Sequence, residues 1–181
     1  GSEIAMAYRT ARIHVMSGTG NTLRLARTAA EEIRARGTAF RLYRVEQEVP
    51  REAFERGPDR LVGLFCPSHA FTAPWPMIRL AWRLPRGRGT HAVIVLSRGS
   101  FLMGKLQLPG LEGTALAVLA IMLWLKGYSV RGATAIDMPG NWTAAYPGGS
   151  RRTSRIIIRR GCRRLRTFLG TILDGRRRFH G

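Results

Sequence analysis

Short apolar runs alternate with stretches of helical periodicity along this chain. Residues 12–16 (Arg-Ile-His-Val-Met) predict a first strand, and Thr22, Ala26, Ala29 and Ile33 then recur at helical spacing up to Gly37. Residues 40–45 alternate apolar and basic side chains, as a half-buried strand does. A polar link over 46–59 leads to Leu61-Val62-Gly63-Leu64-Phe65-Cys66, stopped by Pro67. Such a continuous run is what a strand covered on both faces requires. Residues 74–84 predict a helix with Trp75, Ile78 and Trp82 on one face, and residues 92–96 predict the next buried strand. Residues 114–125 predict a helix that is apolar all round, and residues 130–136 the last strand. In the tail, Ile158, Cys162, Leu165, Leu169 and Ile172 form an apolar stripe among arginines, the pattern of an amphipathic helix.

Strand and helix patterns alternate five times, which implies an α/β domain with one parallel sheet and helices on both faces. The first strand ends in Ser17-Gly18-Thr19-Gly20-Asn21-Thr22, immediately before the first helix. A strand, a loop of small hydroxyl residues and a helix start make an anion site: the first-turn N–H groups are unpaired and the helix dipole favours negative charge. No lysine follows Gly20, so the triphosphate-binding loop is excluded. Leu23 stands where the dinucleotide fingerprint needs its third glycine, and Arg41-Leu42-Tyr43-Arg44 stands where an acid should close the second strand. A monophosphate held by hydroxyls and amides remains, with a simple capped helix as the alternative. The loop resembles the FMN phosphate loop of the flavodoxin family. That resemblance implies a doubly wound sandwich with a five-stranded parallel sheet in the order 2-1-3-4-5, its ligand beyond the carboxyl ends of the strands.

In that fold FMN is held by the loops after strands one, three and four. Loop three is then Pro67-Ser68-His69-Ala70-Phe71-Thr72, running on to Pro74, and loop four is Ser97-Arg98-Gly99-Ser100-Phe101. Phe71 either stacks on the flavin ring or packs under its loop. His69 bonds the ring, donates a proton to a substrate, or is a surface or structural group. Arg98 either stabilises reduced anionic flavin or faces solvent. Asn141 and Trp142, after the last strand, border the ring or a substrate pocket, or Trp142 anchors the last helix. His69 and Arg98 are the two candidate catalytic residues. Pro67-x-His69-x-Phe71, Pro76-Met77, Leu84-Pro85-Arg86-Gly87, Gly104-Lys105, Pro109-Gly110-Leu111 and Asp137-Met138-Pro139-x-Asn141-Trp142 run in series. Together they resemble the flavodoxin-like domain of bacterial flavodoxin–ferredoxin proteins, over about residues 10 to 180. The cysteine-rich ferredoxin segment of many such relatives has no counterpart here.

Three units are expected: an N-terminal extension or cloning remnant over 1–10, the FMN domain over 11–175 and a basic tail over 176–181. Two cysteines exclude a disulfide framework or an iron–sulfur site, and point to a reducing, cytoplasmic setting. No histidine cluster, paired carboxylates or Ser-His-Asp pattern is present, so no metal is expected. No apolar run is long enough to span a membrane. The net charge of +19 changes the picture of partners. Residues 151–181 hold eleven arginines against one acid, Asp174. An acidic redox partner such as a ferredoxin is expected. The apolar helix over 114–125 should meet a second subunit or, with the arginine-rich face, an anionic membrane surface at the inner membrane face. Nucleic acid is the least favoured partner, because the tail's apolar stripe docks that helix on the sheet.

Overall fold

The runs 61–66 and 92–96 lie side by side in the middle of a parallel sheet, where both faces are covered. The computed structural model describes residues 8–68, 72–103, 106–108, 114–140 and 151–180. Strand β1 (Thr10–Val15) lies between β2 (Ala39–Arg44) and β3 (Arg60–Pro67), and β4 (His91–Met103) follows. A short β5 (Leu106–Leu108) folds back antiparallel on β4, and β6 (Ser129–Pro139) pairs parallel with β4. With β7 (Arg178–His180) at the far edge, the order is β2-β1-β3-β4-β6-β7. Without β5 and β7 it is the expected 2-1-3-4-5 order. Part of the segment set apart as a tail, 176–181, thus adds a parallel strand beside β6.

Helices α1 (Asn21–Ala35) and α4 (Arg151–Leu173) cover one face. Helices α2 (Trp75–Arg83) and α3 (Ala115–Leu125) cover the other. Side chains alternate across β1: Ala11, Ile13 and Val15 pack under α1 and α4, whereas Arg12 and His14 point to the opposite face. No α-helix lies between β2 and β3. A single 3-10 turn, Arg51–Phe54, stands in that link. Arg12 is buried and reaches Glu55 at 2.5 Å, and Arg60 pairs with the same carboxylate. The His14 ring is stacked between Tyr43 and Phe54. It is wholly buried, and burial pushes its pKa down to about 4. The nearby Ala53 backbone opposes that shift, yet neither ring nitrogen has a well-formed hydrogen bond.

Three boundaries differ from the sequence reading. Strand β4 does not stop at Leu96, because β6 pairs with it from Ser97↔Ile136 through Ser100↔Pro139. The stretch expected as loop four is therefore strand. On α2 the buried positions are Met77, Leu80 and Ala81, and the Trp75–Trp82 face points outward. The smaller side chains are the ones that approach the sheet closely. On α4 the expected Leu165, Leu169 and Ile172 are buried, but the stripe begins at Ile157 and Gly161, one residue before the expected Ile158 and Cys162. Gly161 sets this register: a Cβ there would lie 2.8 Å from the Asp137 carbonyl oxygen, so helix and strand touch backbone to backbone. Cys66 is fully buried packing, and burial pushes its thiol up to about 12.

Candidate functional site

The carboxyl ends of β1, β3, β4 and β6 meet at one edge of the sheet. Residues 17–20 leave β1 there and enter α1 through Gly20, whose φ of +88° is left-handed and suits glycine. The Ser17 hydroxyl accepts hydrogen bonds from the N–H groups of Gly20 (3.1 Å) and Leu23 (3.2 Å). It thereby closes the loop on itself. The first-turn N–H groups of Asn21 and Thr22 have no acceptor among the described residues. A Cβ added at Gly18 or Gly20 would meet nothing within 4 Å, so the space over the loop is open. Thr19 is exposed to that space. An anion here would meet amides, hydroxyls and the positive end of α1, with no cation supplied by the loop itself.

Two side chains fix α1 to the sheet. The hydroxyls of Thr22 and Ser97 are 2.7 Å apart and buried, so both are occupied in holding the first turn against β4. Such a pair contributes about 1 kcal/mol when made and costs more when half of it is removed. The Asn21 side-chain amide donates to the Pro139 carbonyl at 3.0 Å and ties the helix start to the end of β6. Asn21 and Thr22 thus position the loop through their side chains and offer a ligand their backbone.

From loop three, Pro67 ends β3 opposite Ser97, and the Ser68 N–H donates to the Ser97 carbonyl at 2.9 Å. Thr72 is exposed. Gly99 is exposed and Ser100 buried within β4, and Phe101 belongs to the same strand by its backbone. Arg98 is nearly buried, and its Nε donates to Asp137 at 2.7 Å across the β4–β6 ladder. Its charge is balanced by a carboxylate at its own register position. His69, Ala70, Phe71, Asn141 and Trp142 lie outside the described residues.

The sequence reading overlooked two acids. Asp137 was noted only within a motif, and its pairing with Arg98 depends on strand register. Glu46 follows β2, and its carboxylate accepts from the Ser17 N–H at 3.3 Å. The acid sought at the end of the second strand is therefore present, two residues beyond Arg44. The signal was available in Val45-Glu46, since a parallel β2 beside β1 delivers that position to the loop after β1.

The sequence matches no family model and no curated protein. Solved structures do resemble the fold. A flavodoxin of Streptococcus pneumoniae TIGR4 is 15% identical, with a TM-score of 0.57 over 90% of this chain and 99% of that one. A flavodoxin from the domain Archaea is 14% identical, with a TM-score of 0.55 over 87% of this chain and 97% of that one. The azoreductase AzrA is 11% identical, with a TM-score of 0.55 over 92% of this chain and 99% of that one. The chain has a flavodoxin-like α/β fold.

Proposed function

We propose that this chain is a flavodoxin-like redox protein that holds FMN, with the phosphate on the loop of residues 17–22. The observation that carries the reading is the open space over Gly18 and Gly20 at the start of α1, with the Asn21 and Thr22 N–H groups without an acceptor among the described residues beside it. It lies where strand order reverses beside β1, the position at which this architecture binds ligands. The donor set suits a monophosphate, and Leu23 stands where the dinucleotide fingerprint needs its third glycine. FMN, when bound, accepts and returns electrons; the protein sets its potential and its access. The chain's own part is to seat the phosphate with amides and hydroxyls and to keep α1 fixed through the Thr22–Ser97 pair. Arg98 and Asp137 hold a charge-balanced pair beside the same edge.

The finer reading is that of a reductase, or of the flavin half of a flavodoxin–ferredoxin system, whose electron partner is acidic. Arg151, Arg152 and Arg155 support it. They are exposed in the first turns of α4, which enters the fold at the cofactor edge. An acidic ferredoxin-type protein would be steered to that edge.

Titration of the flavin-free protein with FMN and with riboflavin tests the cofactor reading. FMN should bind at least about tenfold more tightly than riboflavin, because only FMN carries the phosphate. Thr19→Glu, at an exposed position, should remove that preference, and Glu46→Gln should tighten FMN binding by a few-fold, roughly the scale of one screened charge. Equal binding of FMN and riboflavin would place the phosphate elsewhere, and no binding of either would end the cofactor reading.

A further inference from the structure

The face of the molecule formed by α2 and α3 has an unusual surface. Trp75, Trp82 and Trp124 are 71%, 75% and 68% exposed, and they are three of the chain's four tryptophans. Leu125 and Ile121 are exposed beside them. Helix α3 holds no charged side chain, although one of its faces meets solvent. On α2, Trp75, Arg79, Trp82 and Arg83 follow one another at i, i+4, i+7 and i+8, so indoles and guanidinium groups share one exposed stripe. Arg86 and Arg88 extend the cationic rim, and Lys126 sits 6.0 Å over the Trp82 ring. Between Asp59 and Asp137 the sequence holds a single acid, Glu112.

We infer that the α2–α3 face docks on the surface of an anionic lipid bilayer, with the tryptophans at the headgroup–acyl boundary and the arginines on lipid phosphates. Both side-chain types suit that depth. An indole buries an apolar body and keeps its N–H among polar groups, and an arginine lays its stem on apolar surface and sends its head to phosphate. The contact is interfacial: among the described residues no helix is long and apolar enough to cross a membrane. Charge decides against a second copy of this chain. A two-fold interface would set the patch that carries Arg79, Arg83 and Lys126 against the same cationic patch, with no carboxylate on α2 or α3 to pair them and +19 on each chain. The other helical face makes the contrast. Helix α4 is richer in arginine, and its largest exposed apolar side chain is Ile156, at 38%. That face supplies attraction for an anion without a group to insert.

Vesicle flotation tests the inference on the whole chain, with or without flavin, so its outcome is separate from that of the FMN titration. Vesicles of phosphatidylcholine alone are compared with vesicles that also contain phosphatidylglycerol, at low and at physiological salt. The protein should float only with the anionic vesicles, and its tryptophan emission should shift to the blue. The Trp75→Ser/Trp82→Ser/Trp124→Ser variant, altered only at exposed positions, should bind at least about tenfold more weakly. Should that variant fold poorly, Arg79→Glu/Arg83→Glu supplies the same reading and should lose a similar factor. Absence of flotation with anionic vesicles at low salt overturns the inference. Unchanged binding in the tryptophan variant, with loss in Arg152→Glu/Arg159→Glu, also overturns it and moves the contact to α4. A dimer or a complex with an acidic protein that needs these tryptophans, while vesicles stay unbound, overturns it in favour of a protein partner.

Discussion

At the residue scale, His14 shows how burial sets a charge state. Its ring is sealed between Tyr43 and Phe54 and has a pKa near 4, against about 6.5 in an unfolded chain. Between those values the unfolded chain holds a proton that the folded chain refuses. The neutral ring therefore leaves stability intact above about pH 6.5, and stability falls as pH falls from there towards 4. From pH 7 to pH 5 this one group should remove roughly 2 kcal/mol. Denaturant unfolding at the two pH values measures it, with His14→Phe as the reference, since a phenyl ring keeps the aromatic stack and cannot titrate. If both proteins lose equal stability, His14 is not the group responsible. Thr22 illustrates the other use of a buried polar atom: its hydroxyl is matched by Ser97, so polarity fixes geometry there instead of opposing folding.

At the element scale, α4 meets β6 backbone to backbone at Gly161. Gly161→Ala would improve helix propensity by about 1 kcal/mol, yet its methyl group would lie 2.8 Å from a carbonyl oxygen that belongs to the sheet. The strand cannot retreat without disturbing its ladder, so a net loss of roughly 1–3 kcal/mol is expected by thermal or denaturant unfolding. A neutral or stabilising result would show that α4 can slide on β6. The same contact marks what a sequence discloses. The parallel strands were legible because covering both faces leaves continuous apolar runs, as in 61–66 and 92–96. The first loop was legible because its glycines and hydroxyls are contiguous. The extension of β4 was not, since Ser97 to Ser100 become strand only through partners near residue 138. Likewise Arg98 looked like a cation at a loop mouth until register brought Asp137 beside it. On α2 two apolar stripes compete within nine residues, and composition does not say that the one with the tryptophans faces out. Of the ring-contacting residues read from sequence, His69, Ala70, Phe71, Asn141 and Trp142 lie outside the described residues.

At the scale of the whole molecule, thirty basic residues against eleven acids leave the chain repelling itself. Helix α4 gains some relief from Arg166 on Glu31, and the end of α1 from Arg36 on Asp174, but both contacts are exposed and weak. Added salt screens the repulsion more than it weakens these pairs. The melting temperature should therefore rise by roughly 2–4 °C between low and moderate sodium chloride, about 1 kcal/mol for a chain of this size. A melting temperature that falls with salt would mean that ion pairs outweigh the repulsion. The covering of the sheet is uneven as well, because the link between β2 and β3 supplies a four-residue turn where the other strands carry helices. Strand β2 has a single neighbour, and Ala39 and Arg41 on its second face are exposed. Its amides, with those of the three-residue edge strand β7, are thus among the first in the sheet to trade hydrogen for deuterium in the native protein, while those of β3 and β4 wait for global opening. Each such opening also withdraws Glu46 from the Ser17 N–H. The rim of the loop over residues 17–20 therefore breathes with the β2 edge, and the Ser17 N–H becomes open to an incoming anion only as often as that edge opens.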